Sequence, residues 1–377
     1  MTTDLNPAPQ ALAGSLPGPP APTRATEILA DRLFSSLLGT FDVLTVHIGD
    51  QFGLYELLHQ SGPLSVVEAA RRSGMHPRYT QEWLEQQAVA GLIEVEDAGA
   101  PADERRYALS DAHAAVLCDP ESLAYLTPFA RMLTAAAVQM PRLLEAYRSG
   151  GGVGWSDYGE LMRTAQAEAN RPLFLKVLGT DWLPRLPDVD AALRNGGKVA
   201  DIGCGEGWSS IGIALAYPAV TVDGYDVDAD SISAARDHAA SYGLSERVTF
   251  TQVDAASVPR AGDYDLVAAF ECIHDLPQPV DVLRAARRMV RPGGTVLVMD
   301  EHVPDDFTGV GDPVEQLMYG MSMLICLPDG LSHPHSVGTG TVMRRDTLRE
   351  YAREAGFDDV EVLPVEHEMF RLYRLVD

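Results

Sequence analysis

The run Val199 to Gly207, VADIGCGEG, carries the plainest chemical signal in the chain. Glycines at 203, 205 and 207 let a backbone turn sharply and come close to a ligand. A dinucleotide fingerprint, G-x-G-x-x-G, would need a glycine at 208 or 210, where Trp208 and Ser210 stand. No Gly-Lys-Ser/Thr follows, so a P-loop is excluded as well. Asp201, two residues before the first glycine, would oppose a pyrophosphate and suits a ligand with an ammonium group. Downstream, Glu271, His274 and Asp275 fall in FECIHD, and Glu301 and His302 in MDEH. Such groups move protons, and the imidazole titrates near neutrality. His333 and His335 (SHPHS), taken with His274, are too weak a pattern for a metal, and none is expected. Four cysteines, 118, 204, 272 and 326, form no C-x-x-C pair, which argues against a disulfide framework and a structural zinc.

The elements that position these residues follow from periodicity. KVADIG, TVDGYDV, VTFTQVD, YDLVAAF and TVLVMDE read as strands, and helices at 208–216, 229–242 and 280–290 separate most of them. Alternating strand and helix predicts a parallel, doubly wound sheet of the α/β class. A helix at 345–355 and two strands, 360–364 and 369–375, should close one edge with a hairpin. Upstream, apolar faces begin near Thr26 with Leu29, Leu33 and Leu37 and continue from Val43 to Ile48. GLYELLHQ, LSVVEAARR and the segment 79–90 read as three helices, the second opened by a Ser65/Glu68 capping box. Strands at 92–96 and 106–109 follow, and helix-turn-helix plus a two-stranded wing is the winged-helix pattern. Glu121 to Arg148 reads as helix broken around Pro128 and Pro141, GGVGWSDYG as a loop, and 159–178 as helix. Expected boundaries are a Pro/Ala-rich disordered tail at 1–25, a winged-helix-like dimerisation domain at 26–155 and a ligand-binding domain at 156–377.

The glycine run resembles motif I, D/E-x-G-x-G-x-G, of the class I S-adenosylmethionine (SAM) methyltransferases, and the downstream order agrees with that family. The resemblance is strong over about 170–377 and looser over 26–110, where it is to the winged-helix domain of bacterial small-molecule methyltransferases. It implies a Rossmann-like sheet of seven strands with SAM at the carboxyl ends. It implies that Asp226 (with Val227 beside it) takes the ribose hydroxyls and that Asp254, with Ala255, faces the adenine amino group. Asp226 has a second reading as a helix cap, since Asp228 and Asp230 are near. By the same resemblance Asp201, Gly203, Gly205, Gly207 and Phe270 belong to the cofactor site, Cys204 is a small backbone-contact residue, and Arg291-Pro-Gly-Gly294 is the turn before the fifth strand.

Methyl transfer from a sulfonium is an in-line displacement that positioning and desolvation accelerate, with a base needed for a hydroxyl acceptor. His274, Glu271 and His302 are the candidates for that work. The stretch 303–344 is expected to form a lid, with Met318, Tyr319 and Met323 on an apolar helix and Trp155, Met162 and Phe174 completing the wall. The expected reaction is methylation, O-methylation first, of a small, largely apolar or aromatic molecule in secondary metabolism. Alternatives are a SAM-fold protein catalysing a non-methylating step and a SAM-responsive winged-helix regulator.

The whole-chain balance limits the partners. With 29 basic and 54 acidic residues in 377, the formal charge is −25, which repels nucleic acid and anionic membranes. Between Phe41 and His113 twelve acids face five arginines, a poor surface for DNA, so helix exchange in a homodimer is the expected use of the N-terminal region. There is no membrane-length apolar run and no signal peptide pattern, so a cytoplasmic location is expected.

Overall fold

The computed structural model describes residues 23–377. The chain divides into two units, Met1–Val43 and Leu44–Asp377. The described part of the first is the start of helix α1 (Arg24–Gln51), so helix begins inside the stretch expected to be tail, and the rest of that tail lies outside the described residues. Within this unit Ile28, Leu29, Leu33, Phe34, Leu37 and Leu38 are all exposed.

The second unit opens with a winged helix. It runs α2 (Leu54–Ser61), β1 (Leu64–Ser65), α3 (Val66–Ser73), α4 (Pro77–Val89), β2 (Glu94–Val95) and β3 (Arg106–Ala108). The three short strands pair antiparallel in the order β1-β3-β2, one more than the sequence pattern revealed. The capping box is present: Glu68 N–H donates to Ser65 Oγ, and Ser65 N–H donates to the Glu68 carboxylate at 2.9 Å. Ser65→Ala should cost about 1 kcal/mol, seen as a lower urea midpoint at unchanged slope.

α5 (Asp111–Leu117), α6 (Thr127–Val138), α7 (Met140–Ser149) and α8 (Trp155–Leu173) follow. Pro128 and Pro141 start α6 and α7 rather than break a longer helix, because the first turn needs no proline N–H. The segment 155–159, expected as loop, is the first turn of α8, with a kink at Gly159 where φ is 76°. α8 runs on into a π-helical segment, Phe174–Trp182, and a short 3-10 turn, and α9 (Pro187–Arg194) leads to the sheet.

The sheet comprises β4 (Lys198–Ile202), β5 (Thr221–Asp226), β6 (Val248–Gln252), β7 (Tyr264–Phe270), β8 (Val290–Glu301), β9 (Asp359–Val362) and β10 (Phe370–Val376). Its order is β6-β5-β4-β7-β8-β10-β9, parallel through β8, with β10 antiparallel to both neighbours, which is the expected edge hairpin. β8 begins earlier than expected: Arg291 to Gly294 lies within the strand, where the pairing with β7 shifts register. α10 (Trp208–Ala216), α11 (Ala229–Ser241) and α12 (Pro279–Met289) connect the parallel strands. The central strands β4 and β7 and the second half of β8 are almost continuously buried because helices cover both faces, while the outer β5 and β6 alternate. After β8 come α13 (Pro313–Met321), a second π-helical segment (Ser322–Cys326), α14 (Leu327–Leu331) and α15 (Arg345–Ala355). From β4 the chain steps outward one way to β5 and β6, then returns to the other side of β4 with β7 and β8. That reversal opens a crevice beyond the carboxyl ends of β4 and β7, where open α/β sheets bind ligands.

Candidate functional site

A cavity of about 640 Å³ fills that crevice, within the roughly 300–1,000 Å³ of small-molecule sites. Its floor is the glycine loop. Gly203 has φ of 65°, and a Cβ there would lie 2.7 Å from the Cys272 Cβ, so only glycine serves. Gly203 N–H and Cys204 N–H donate back to the Tyr225 carbonyl, which folds the loop over the end of β5. Gly205 N–H donates to Asp226 Oδ2 at 2.8 Å, and Asp228 N–H donates to Asp226 Oδ1 at 2.9 Å.

The capping role weighed for Asp226 falls to Asp228, whose carboxylate takes Ser231 N–H at 2.8 Å. Asp226 therefore keeps one acceptor position open on each oxygen, enough for two adjacent hydroxyls. Burial pushes its carboxyl above the ordinary range, a penalty that ligand donors would relieve. Gly203, Cys204, Gly205, Asp226, Val227, Asp254, Ala255 and Phe270 all line the cavity. Cys204 is buried, and burial raises its thiol far above the reactive range. Asp254 caps the short turn that begins at Ala255.

Two expected cofactor residues stand back from the cavity. Gly207 (φ 85°) packs against Phe250 and begins α10. Asp201 lies beneath the loop, 1% exposed, and accepts the Ser209 and Ser210 hydroxyls at 2.6 Å each. Burial lifts its carboxyl to about 6. Asp201 thus ties the loop to α10 rather than facing a ligand.

At the other end of the cavity His274 is 3% exposed. Its Nδ1 lies 2.8 Å from Asp300 Oδ1 and 3.0 Å from Glu301 Oε2, and its Nε2 lies 3.2 Å from Asp275 Oδ1. Burial alone would lower the imidazole pKa; Asp275, Glu301 and Asp300 together raise it well above 6.5. Burial also raises Glu301, and Glu271 likewise, although the Asn170 side chain hydrogen-bonds the latter. Glu271 is held at φ 52°, an uncommon backbone for a non-glycine residue, at the cavity wall.

His302 is misplaced in the sequence-based reading. It is exposed, its backbone N–H bonds the Met369 carbonyl, and its ring faces the His367 carbonyl, away from the cavity. Asp300 takes the place expected of it, signalled only by a charged residue ending an otherwise apolar strand.

The wall is apolar. Phe129, Trp155, Phe174, Met318, Met321 and Ile325 line it. Met162 is fully buried in the core behind. Tyr319 and Met323 do not reach the cavity: Tyr319 is directed to Arg344, and Met323 is half exposed. They lie on the outward side of the helix whose inward side carries Met318, Met321 and Ile325. Residues of α13, the π-helical segment and α14 line the cavity, and Arg344 holds α13 through Glu315, which Thr308 also contacts. His333 lines the cavity; His335 does not.

Comparison with known proteins agrees with this geometry. Residues 193–330 match a family described as "Methyltransferase domain", and residues 41–119 match an "Rv2258c-like winged HTH domain". The 27-O-demethylrifamycin SV methyltransferase of Amycolatopsis mediterranei (strain S699) is 31% identical over 173 residues, 44% of this chain and 56% of that protein. Methyltransferase GfsG of Streptomyces halstedii is 38% identical over 122 residues, 32% of this chain and 42% of that protein. The chain thus spans about half the length of the curated relatives it matches. The crystal structure of human N-acetylserotonin methyltransferase in complex with SAM superposes with a TM-score of 0.68 at 17% identity, covering 95% of this chain and 99% of that one. At that identity the likeness shows the fold.

Proposed function

We propose, from the premise that the chain belongs to the class I SAM-dependent methyltransferases with an N-terminal winged-helix domain, that it methylates a hydroxyl of a small, largely apolar or aromatic molecule. One observation carries this: a single cavity joins a glycine loop and Asp226 at one end to a buried His274 beneath a Phe/Trp/Met wall at the other. The residues present fit SAM. The glycine loop offers open backbone, Asp226 offers two acceptor positions, and Asp254 and Ala255 stand beyond the third strand. When bound, SAM supplies a methyl group already activated on a sulfonium.

The chain then has three tasks. The wall residues and the lid segment exclude water and fix the acceptor in line. The buried His274, Asp300 and Glu301, with the half-buried Asp275 at their edge, form a set of groups that share protons and receive the one the acceptor hydroxyl gives up. Glu271 holds a polar part of either ligand from the strained turn after β7. The assay is release of S-adenosylhomocysteine from SAM with a panel of hydroxylated aromatic compounds. Acceptor-dependent release is expected. SAM binding without release against any hydroxyl, amine or carbon acceptor would favour the non-methylating alternative.

We also propose a homodimer formed through residues 24–43, because an exposed row of Leu29, Leu33 and Leu37 with Phe34 and Leu38 gains from burial against a second copy. Leu33→Asp with Phe34→Asp should halve the mass found by sedimentation; an unchanged mass would refute this. The winged helix is not assigned to DNA: on α4 Glu82 pairs with Arg78, and Glu85 pairs with Arg105 at 3.0 Å, leaving little free positive charge. Among the described residues no helix is long and apolar enough to cross a membrane. A cytoplasmic enzyme of secondary metabolism is the setting we favour, since its relatives by name include a methyltransferase acting on demethylrifamycin SV.

A further inference from the structure

We infer that the acceptor carries a basic amino group, seated as an ammonium between Asp275 and Asp329 at the acceptor end of the cavity. This rests on the methyltransferase reading above and narrows its substrate class. Asp275 follows β7 and Asp329 belongs to α14, and both line the cavity. The two segments touch: a Cβ on Gly330 would stand 3.4 Å from the Asp275 carbonyl oxygen. Two carboxylates are therefore brought to one wall. Among the described residues no lysine or arginine lies within ion-pair distance of either.

The wall around them is rich in acceptors that are short of donors. Glu301 is 6% exposed and lines the cavity, and the only donor near its Oε2 is the His274 Nδ1, 3.0 Å away, which Asp300 already holds at 2.8 Å. Glu271 Oε1 is buried without a donor, and Asp275 Oδ1 has only the His274 ring, with Nε2 3.2 Å away. Buried oxygens of this kind call for hydrogen-bond donors from a ligand. An ammonium brings three donors and a positive charge together.

The apolar surface is of the matching type. Trp155 N–H donates to Asp329 Oδ1 at 2.7 Å, so the carboxylate and the start of α8 are fixed together. The Trp155 and Phe129 side chains line the same cavity. A cation beside carboxylates and aromatic faces is stabilised by both. An anionic acceptor finds no counterpart here. The ring nitrogens of His274 already face carboxylates, and Arg163 stands near Glu206 and Asp230, beside the glycine loop. Burial, and then the neighbouring Asp275, push the Asp329 carboxyl up to about 7. The ammonium nitrogen has no lone pair, so it orients the molecule, and the methyl goes to a hydroxyl elsewhere on it.

Calorimetry of the full chain saturated with S-adenosylhomocysteine tests this with three matched probes: 2-(1-naphthyl)ethylamine, 2-(1-naphthyl)ethanol and 1-naphthylacetate. The amine should bind at least about tenfold tighter than the alcohol, and the carboxylate weakest. Asp329→Asn keeps the oxygen that accepts from Trp155 N–H, and it should bring the amine down to the alcohol's affinity while leaving the alcohol unchanged. Asp275→Asn should act in the same direction. The inference is overturned if the alcohol or the acid equals the amine, or if the preference survives in both variants. Stoichiometric binding of S-adenosylhomocysteine reports that each variant is folded. Failure of that binding by the parent protein would instead strike the methyltransferase reading, and this inference with it.

Discussion

Asp226→Ala weakens SAM binding by at least about a hundredfold in calorimetry. A hydrogen bond to a charged group contributes roughly 1.5–3 kcal/mol, and two ribose hydroxyls facing one carboxylate give roughly 3–6 kcal/mol, or two to four decades at 1.4 kcal/mol each. The loss has a second source. Asp226 also accepts the N–H groups of Gly205 and Asp228, so its removal loosens the glycine loop. Asp226→Asn keeps one oxygen and should fall between, near tenfold. Asp228→Ala serves as the contrast. It removes the cap of α11, for which about 1 kcal/mol of stability is expected, with SAM affinity changed less than about tenfold. Equal SAM affinity in Asp226→Ala and the parent would remove the ribose assignment.

His274→Gln lowers the methylation rate constant by about 10²–10⁴ while SAM affinity stays within about twofold. The split separates the two ends of the cavity, since His274 touches none of the glycine-loop groups named above. Stability must be followed as well. Removing the imidazole leaves Asp300 and Glu301 buried without it, and breaking a buried pair costs about 3–5 kcal/mol. Its pH course has a definite sign. His274 is raised above 6.5 in the folded chain, so its stabilisation is full below pH 6.5 and is lost as pH climbs through the raised value. Asp300 is lowered below 3.8, so its share is present above that pH and lost as pH falls through its folded value. The stability deficit of the variant is thus largest between about pH 4 and pH 6.5 and shrinks in alkali. Adding Asp300→Asn should restore part of the stability and none of the rate. A double variant that regains rate would show that His274 acts only by holding the fold together.

How much of this was legible depended on whether the signal was local. The Ser65/Glu68 capping box and the glycine loop are local, and both stand where periodicity and motif put them. The edge hairpin was legible because two strands without a helix between them must pair antiparallel. Residues whose roles depend on tertiary approach were harder. His274 was found, but its partner Asp300 lies 26 residues further on, and only the fold brings them together. Asp329 and Asn170 gave no signal, one on a short helix of the lid segment and the other inside a long helix. Tyr319 and Met323 were drawn into the wall because the helix reads as apolar all round. Met318, Met321 and Ile325 share one face at i, i+3 and i+7, and only the tertiary fold shows that this face is the one turned inward; a π-helical segment (Ser322–Cys326) follows that helix.

That π-helical segment has a counterpart at Phe174–Trp182, and both reach the cavity, one through Phe174 and the other through Ile325 and Cys326. A π turn holds one residue more than the helix around it needs. Removing that extra residue would return the turn to α-helix and leave the residues beyond it in place, so only the side chains of the turn itself are re-aimed. A wall built this way can be re-dialled in single steps: one codon lost or gained presents a new set of side chains to the acceptor, while the sheet and the glycine loop stay as they are. Divergence in acceptor choice can therefore proceed by indels in two short helical turns, and not only by point replacement of the residues that touch the ligand.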